Sequence, residues 1–227
     1  MNNSSIILLS GGLDSLVTLG LAKQEEKYNV KLALTFDYGQ MTSQGEIETS
    51  SKICQHYDIE HKVIKLEWLK EITKTALVTN NNLPNGNFGT TESAKAVWVP
   101  NRNSLFLNIA ACFCDSLGYK YILYGANKDE ANNFPDNTED FRKKISESFK
   151  SSTLEQPQVI APLINYSKSD IVRIALDGNM PLDLVRSCYK NPTGHCGECE
   201  SCHHLKNALI SNKAERYIGI LFRENEN

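Results

Sequence analysis

The sequence predicts an α/β protein: a doubly wound, mainly parallel sheet with a small C-terminal module built on four cysteines. Three observations predict it. Short apolar runs alternate with amphipathic stretches through the first two-thirds of the chain, the pattern of successive βαβ units. The first apolar run, Ile6-Ile7-Leu8-Leu9, leads through a Gly-Gly turn straight into a helical pattern. Near the other end, Cys188, Cys196, Cys199 and Cys202 crowd together between glycines and a proline. A chain of 227 residues suffices for one such domain with a sizeable core and a small appendage.

The elements follow in order. Ile6–Leu9 reads as a first strand and Asp14–Gln24 as a helix. Val30–Phe36 is a second strand, Ser43–Tyr57 a helix and His61–Leu66 a third strand. Thr79–Ala94, rich in Asn, Gly and Thr, buries too little apolar surface to be core and reads as a mobile loop over the site. Ser104–Leu117 is an apolar helix and Tyr121–Tyr124 a strand ending at Gly125. A helix at Thr138–Lys150, a strand at Val159–Ala161 and a helix at Ser167–Asp177 complete the repeating pattern. The character changes near Leu182, which divides the chain into residues 1–181, the α/β domain, and 182–227, the cysteine module with a last amphipathic stretch packed on it. Ligands of such sheets bind beyond the carboxyl ends of the strands.

Composition narrows the function. The formal net charge of −3, 41% hydrophobic and 22% charged residues are those of a globular protein and argue against a strongly basic nucleic-acid-binding surface. No run approaches a membrane span, and Met1-Asn2-Asn3-Ser4-Ser5 lacks the basic start of a signal peptide, so a cytoplasmic setting is expected. Of the seven cysteines, Cys54, Cys112 and Cys114 sit in helical patterns and read as small buried apolar residues.

Ser10-Gly11-Gly12-Leu13-Asp14-Ser15 is the most specific motif. Strand, tight glycine turn and helix start present free backbone N–H groups to an anion, and two glycines let the backbone approach it. The Lys-Ser/Thr ending of the common P-loop is absent. The string resembles the SGGxDS signature of PP-loop ATP pyrophosphatases, which implies ATP-driven activation of an oxygen by adenylylation. On that resemblance the nucleotide segment is Leu8, Leu9, Ser10, Gly11, Gly12, Leu13, Asp14, Ser15, Leu16, Val17 and Thr18. Asp14 is placed to cap the helix or to help hold Mg²⁺. Asp37 and Tyr38, at the end of the second strand, are the candidates for adenine or ribose contact. Lys168 and Asp170 read as caps of a later helix.

The cysteines follow the pattern Cys188-x7-Cys196-x2-Cys199-x2-Cys202. Four thiolates fill the tetrahedral shell of Zn²⁺ and leave no open position, so the expected role is structural. An iron–sulfur cluster is the chemical rival, because spacing alone does not exclude it.

The two motifs together resemble the QueC family of 7-cyano-7-deazaguanine synthases over nearly the whole chain. Phe36-Asp37-Tyr38-Gly39-Gln40, Val99-Pro100-Asn101-Arg102-Asn103, Asn133-Phe134-Pro135-Asp136, Ser187-Cys188-Tyr189 and His195-Cys196-Gly197-Glu198-Cys199 carry the resemblance. It departs at Asn101, where the family has Gly, and in Phe134-Pro135-Asp136-Asn137-Thr138, where the family commonly reads YPDCR. The resemblance implies conversion of 7-carboxy-7-deazaguanine and ammonia to 7-cyano-7-deazaguanine at the expense of ATP, with Mg²⁺, structural Zn²⁺ and a homodimer. Asp14, Ser15, Arg102 and Asp136 are then the catalytic candidates, Arg102 through bidentate bonding to phosphate or carboxylate. Two other readings compete. A relative could join a deazaguanine acid to a protein or nucleic-acid amine, or a zinc-ribbon interaction protein could retain a degenerate nucleotide fold. The intact Gly11, Gly12, Asp14 and Ser15 count against the second.

Overall fold

The computed structural model describes residues 3–25, 27–79, 88–190 and 194–222. Five strands form one sheet in the order β3-β2-β1-β4-β5, and every neighbouring pair is parallel. The strands are β1 (Ser4–Leu8), β2 (Asn29–Asp37), β3 (Glu60–Lys65), β4 (Tyr121–Leu123) and β5 (Gln158–Ile160). The central strand β1 is apolar on both faces, with Ile6 and Ile7 fully buried, as a parallel sheet covered on both sides requires.

The helices are α1 (Leu13–Gln24), α2 (Ser43–Tyr57), α3 (Glu67–Ile72), α4 (Ala76–Thr79), α5 (Thr91–Val97), α6 (Arg102–Leu117), α7 (Lys128–Ala131), α8 (Glu139–Ser152), α9 (Lys168–Asp177), α10 (Glu200–Ser211) and α11 (Arg216–Leu221). One layer packs α1, α9, α10 and α11 through Leu16, Val17, Leu19, Ile171, Val172, Leu205 and Leu209. The opposite layer packs α6 and α8 through Phe106, Leu107, Ala110 and Phe149. Residues on both sides of the 181/182 boundary thus share the first core.

Several expectations need correction. Thr79–Ala94 is not one loop. Residues 80–87 lie outside the described residues, and beyond them Thr90 and Ser93 make a reciprocal capping box that opens α5. The last amphipathic stretch is not continuous, since α10 ends at Ser211 and α11 begins at Arg216. Cys54 and Cys114 are buried as expected, whereas Cys112 is exposed on the outer face of α6. Asn101 does occupy the left-handed conformation its position demands, with φ 54° at the N-cap of α6.

The order in which the chain adds strands to the sheet reverses between β1 and β4. The connections after these two strands lead to helices on opposite faces of the sheet, and a crevice opens at the strands' carboxyl ends.

Candidate functional site

The turn after β1 forms one wall of that crevice. Gly11 has φ +77°, and a Cβ there would stand 2.8 Å from the Thr49 side chain of α2, so glycine is needed for both conformation and space. Gly12, with extended backbone, is the N-cap of α1 and makes no side-chain cap. Ser15 folds back so that its Oγ donates to the Gly12 carbonyl at 3.0 Å and accepts from the Ser10 N–H at 3.3 Å. The first-turn N–H groups of α1 face the crevice without helical partners, which makes an anion seat.

The turn after β4 closes in from the other side. A Cβ on Gly125 would lie 2.8–2.9 Å from Asp14 and the Ser15 nitrogen, so the two turns touch at the switch point. Between them sits a charge cluster assembled from three separate elements. Lys168 Nζ contacts Asp14 Oδ2 at 2.5 Å and Glu130 Oε1 at 2.9 Å, while Asn127 Nδ2 donates to Asp14 Oδ2 at 3.1 Å. Burial pushes the Asp14 carboxyl above the usual range, Lys168 pulls it back and Glu130 pushes it up again. Burial also raises Glu130, but Lys168 outweighs it and holds that carboxyl below its ordinary value. Two carboxylates share one ammonium, and Asp14 Oδ1 is buried with no hydrogen-bond partner among the described residues. This donor set fits a divalent cation, since a hard cation takes carboxylate oxygen and Asp14 Oδ1 is left to accept one.

Arg102 opens α6 and stands beside Tyr38; Tyr38, Asp136 and Tyr189 hold it charged against the cost of burial. Asp136 lies in a short 3₁₀ turn, Pro135–Asn137, where burial raises its carboxyl and Arg102 lowers it part of the way. Arg102, Asp136, Lys168 and the turn residues Ser10, Gly12, Asp14 and Ser15 line one cleft, with Tyr38, Ser187 and Tyr189.

Next to the cleft, the Sγ atoms of Cys188, Cys196, Cys199 and Cys202 all lie within 4.8 Å of one another. Backbone N–H groups of Lys190 and Cys196 point at Cys188 Sγ, each at 3.3 Å, and those of Glu198 and Cys199 at Cys196 Sγ, at 3.4 and 3.3 Å. Gly197, φ +75°, makes the turn that aims the latter pair. Without a cation the Cys202 thiol is pushed far up by hydrogen bonding to Cys188 and Cys199 and then by burial, because so many thiolates cannot coexist at that distance. The cluster fits a tetrahedral metal ion. His195, beside Cys196, is engaged through both ring nitrogens away from the cluster. Its Nε2 accepts from the Ser187 N–H at 3.0 Å, and its Nδ1 lies 3.0 Å from the Leu221 carbonyl, which ties the module to the cleft wall.

The family model described as "Queuosine biosynthesis protein QueC" matches residues 4–213. The chain belongs to the QueC family. Its relatives include 7-cyano-7-deazaguanine synthases from Methanosarcina barkeri, 43% identical, and Methanosarcina mazei, 44% identical, each alignment covering 95% of this chain and 99% of the relative. Another, from Carboxydothermus hydrogenoformans, is 46% identical over 92% of this chain and 99% of that one.

Not every residue expected at the site of this QueC-family chain reaches the cleft. Leu8, Leu9, Ser10, Gly12, Leu13, Asp14, Ser15, Tyr38, Arg102 and Asp136 line it. Leu16, Val17 and Thr18 are fully buried in α1 and support the turn from behind. Gly11 shapes the turn and accepts from the Arg186 N–H through its carbonyl. Asp37 does not line the cleft; it accepts from the Gly39 N–H at 3.1 Å in the turn that ends β2. Asp14 is not a helix cap, since its carboxylate is engaged by Lys168 and Asn127. Asp170 does cap α9, in a reciprocal box with Ser167. Lys168 is not a cap; it crosses to Asp14, and sequence reasoning missed it together with Glu130 and Asn127. Their only sequence signal was position, since each lies just beyond an apolar strand run. No described helix is long and apolar enough to cross a membrane.

Proposed function

We propose that this chain is an ATP-dependent, C–N-bond-forming ligase that converts 7-carboxy-7-deazaguanine and ammonia into 7-cyano-7-deazaguanine. One observation carries the reading: a single cleft joins the SGGLDS anion seat to Arg102 and the Asp14–Lys168–Glu130 cluster, in a chain that relatives of that name match almost end to end.

The chemistry must remove both carboxylate oxygens, and neither hydroxide nor oxide leaves readily. A carboxylate oxygen attacks the α-phosphorus of ATP, and pyrophosphate departs. Ammonia adds to the acyl carbon, loses a proton and expels AMP to give the amide. The amide oxygen attacks a second ATP with loss of pyrophosphate; loss of AMP and two protons then gives the nitrile.

Each group in the cleft supports part of this sequence. First-turn N–H groups of α1, with the Ser10 and Ser15 hydroxyls, bind the polyphosphate, whose departing charge they stabilise without reorganising. Lys168 compensates the phosphate charge from the other side, and Arg102 pairs with the acid or with the nucleotide phosphate. Asp14, through its unpartnered Oδ1, and Glu130 would hold Mg²⁺, which neutralises the triphosphate. The four cysteines would hold Zn²⁺ in a closed shell, so its contribution is to shape Ser187 and Tyr189, which flank Cys188.

The test is to incubate the pure protein with 7-carboxy-7-deazaguanine, ammonium and Mg-ATP and to follow products by mass spectrometry. Nitrile supports the reading. Accumulation of adenylate that only another amine discharges would replace it with acceptor ligation, and absence of ATP consumption would sink it.

A further inference from the structure

Two aromatic rings and one carboxylate in the cleft have no task in the phosphate chemistry. Trp98 ends α5 and Phe134 precedes the 3₁₀ turn, yet their rings stack with centroids 5.9 Å apart and planes 7° from parallel. Both are partly buried and both line the cleft. A planar guest inserted between them would need two van der Waals gaps, about 7 Å in all. The pair is therefore one aromatic wall against which a flat ring stacks, not a slot that swallows it.

Asp136 follows Phe134 by two positions and is only 8% exposed. Its Oδ1 accepts from Asn137 Nδ2 at 3.1 Å. A carboxylate offers two oxygens and about four lone-pair sites, so acceptor capacity remains after that bond. A buried carboxylate in a ligand cleft is stabilised by a ligand that brings donors. Arg102, within electrostatic reach, supplies charge but lies where the acid group or phosphate is handled.

We propose that Asp136 and the Trp98–Phe134 wall select a guanine-type heterocycle, with the carboxylate accepting from the ring N1–H and the exocyclic 2-amino group while the ring stacks on the wall. The inference rests on the reading that the acid substrate is a deazaguanine, and it names the residues that recognise its base edge. Adenine presents an exocyclic donor beside a ring-nitrogen acceptor, and that acceptor would face Asp136 lone pair to lone pair. The same carboxylate thus keeps the base of ATP away from the acid's half of the cleft.

The experiment compares 7-carboxy-7-deazaguanine with the analogue lacking the 2-amino group, on the full chain with its metal, by calorimetric binding and by pyrophosphate release. Polar sites discriminate strongly against analogues that leave their groups unpaired, so the wild type is expected to prefer the 2-amino compound by about 100-fold. Asp136→Asn should compress that ratio below about 10-fold, and Trp98→Ala should weaken the acid about 10-fold while leaving the KM for ATP unchanged, as expected for loss of one stacking surface. Equal wild-type binding of the two acids would overturn the inference without any variant. An unchanged ratio in Asp136→Asn would do the same, as would a raised KM for ATP in Trp98→Ala. Discrimination in binding without any turnover would support the inference and refute the synthase reading. Turnover without discrimination would do the reverse.

Discussion

Replacing Gly125 by alanine tests whether the two turns at the switch point are in the contact described. The new methyl would stand 2.8 Å from the Asp14 carbonyl carbon, 2.9 Å from Asp14 Cβ and 2.9 Å from the Ser15 nitrogen. Comfortable separations are about 3.5–4.0 Å, so the overlap is about 0.7 Å at three atoms, two of them backbone. Neither side yields easily. Asp14 is held by Lys168 and Asn127, Ser15 by the Gly12 carbonyl, and β4 by hydrogen bonds to β1 and β5. Overpacking of this kind costs about 1–3 kcal/mol. A displacement of about 1 Å at reacting groups costs about 100-fold in rate, so a shift of half that size should cost on the order of 10-fold. Urea unfolding midpoints and ATP-dependent pyrophosphate release measure the two effects. Gly118→Ala is the control: it caps α6 at φ +72° with nothing within 4 Å of the new Cβ, so it should lose about 1 kcal/mol to backbone strain and no activity. A Gly125→Ala protein with an unchanged midpoint and full turnover would refute the contact and the claim that it sets the anion seat.

Lys168→Met should leave Asp14 and Glu130 facing each other without their shared cation. The cost should be on the order of 2 kcal/mol, discounted because Glu130 keeps 37% of its side chain exposed. Asp14, already raised, rises further in that variant; a raised folded value favours the protonated folded state, so its deficit should shrink as pH falls and grow as pH rises. Denaturation midpoints across pH would show this, and a pH-independent deficit would contradict it. His61 tests the opposite sign. Its Nε2 lies 2.8 Å from Thr35 Oγ1, and burial holds the imidazole below its ordinary value. The stability it contributes is complete above the unfolded value of about 6.5 and is lost as pH falls through the lower folded value. His61→Gln should therefore lose less stability than the wild type between about pH 7.5 and about pH 5.5. Cys202→Ser should reduce bound metal, lower the melting temperature and expose the Ser187–Tyr189 wall to protease, because four-cysteine sites supply folding energy directly. Full metal content in that variant would remove Cys202 from the ligand set.

The features legible in the sequence are those with local causes. Apolar runs and helical periods placed all five strands within a residue or two, and α2 at Ser43–Tyr57. The Gly11-Gly12 turn announced itself because only glycine fits beside Thr49, and the cysteine spacing because tetrahedral ligation needs those short steps. The misreadings have local causes as well. Thr90–Ala94 read as part of a polar loop, because the capping box that opens α5 uses the same Ser and Thr residues that populate loops. Cys112 falls on the outward face of α6, although its sequence neighbours are apolar.

By itself, then, the sequence determined the α/β class, the position of the Gly11-Gly12 turn at the start of α1 and the four-cysteine cluster, since glycine conformation, helix starts and thiol spacing act within a few residues. Only the tertiary structure decided what faces the SGGLDS turn. Lys168 meets Asp14 because parallel strands β4 and β5 add to the sheet beyond β1, bringing the turns after them to the same end. Trp98 meets Phe134 for a similar reason, through the approach of two loops distant in sequence. Sheet order sets these encounters, and no local periodicity records sheet order.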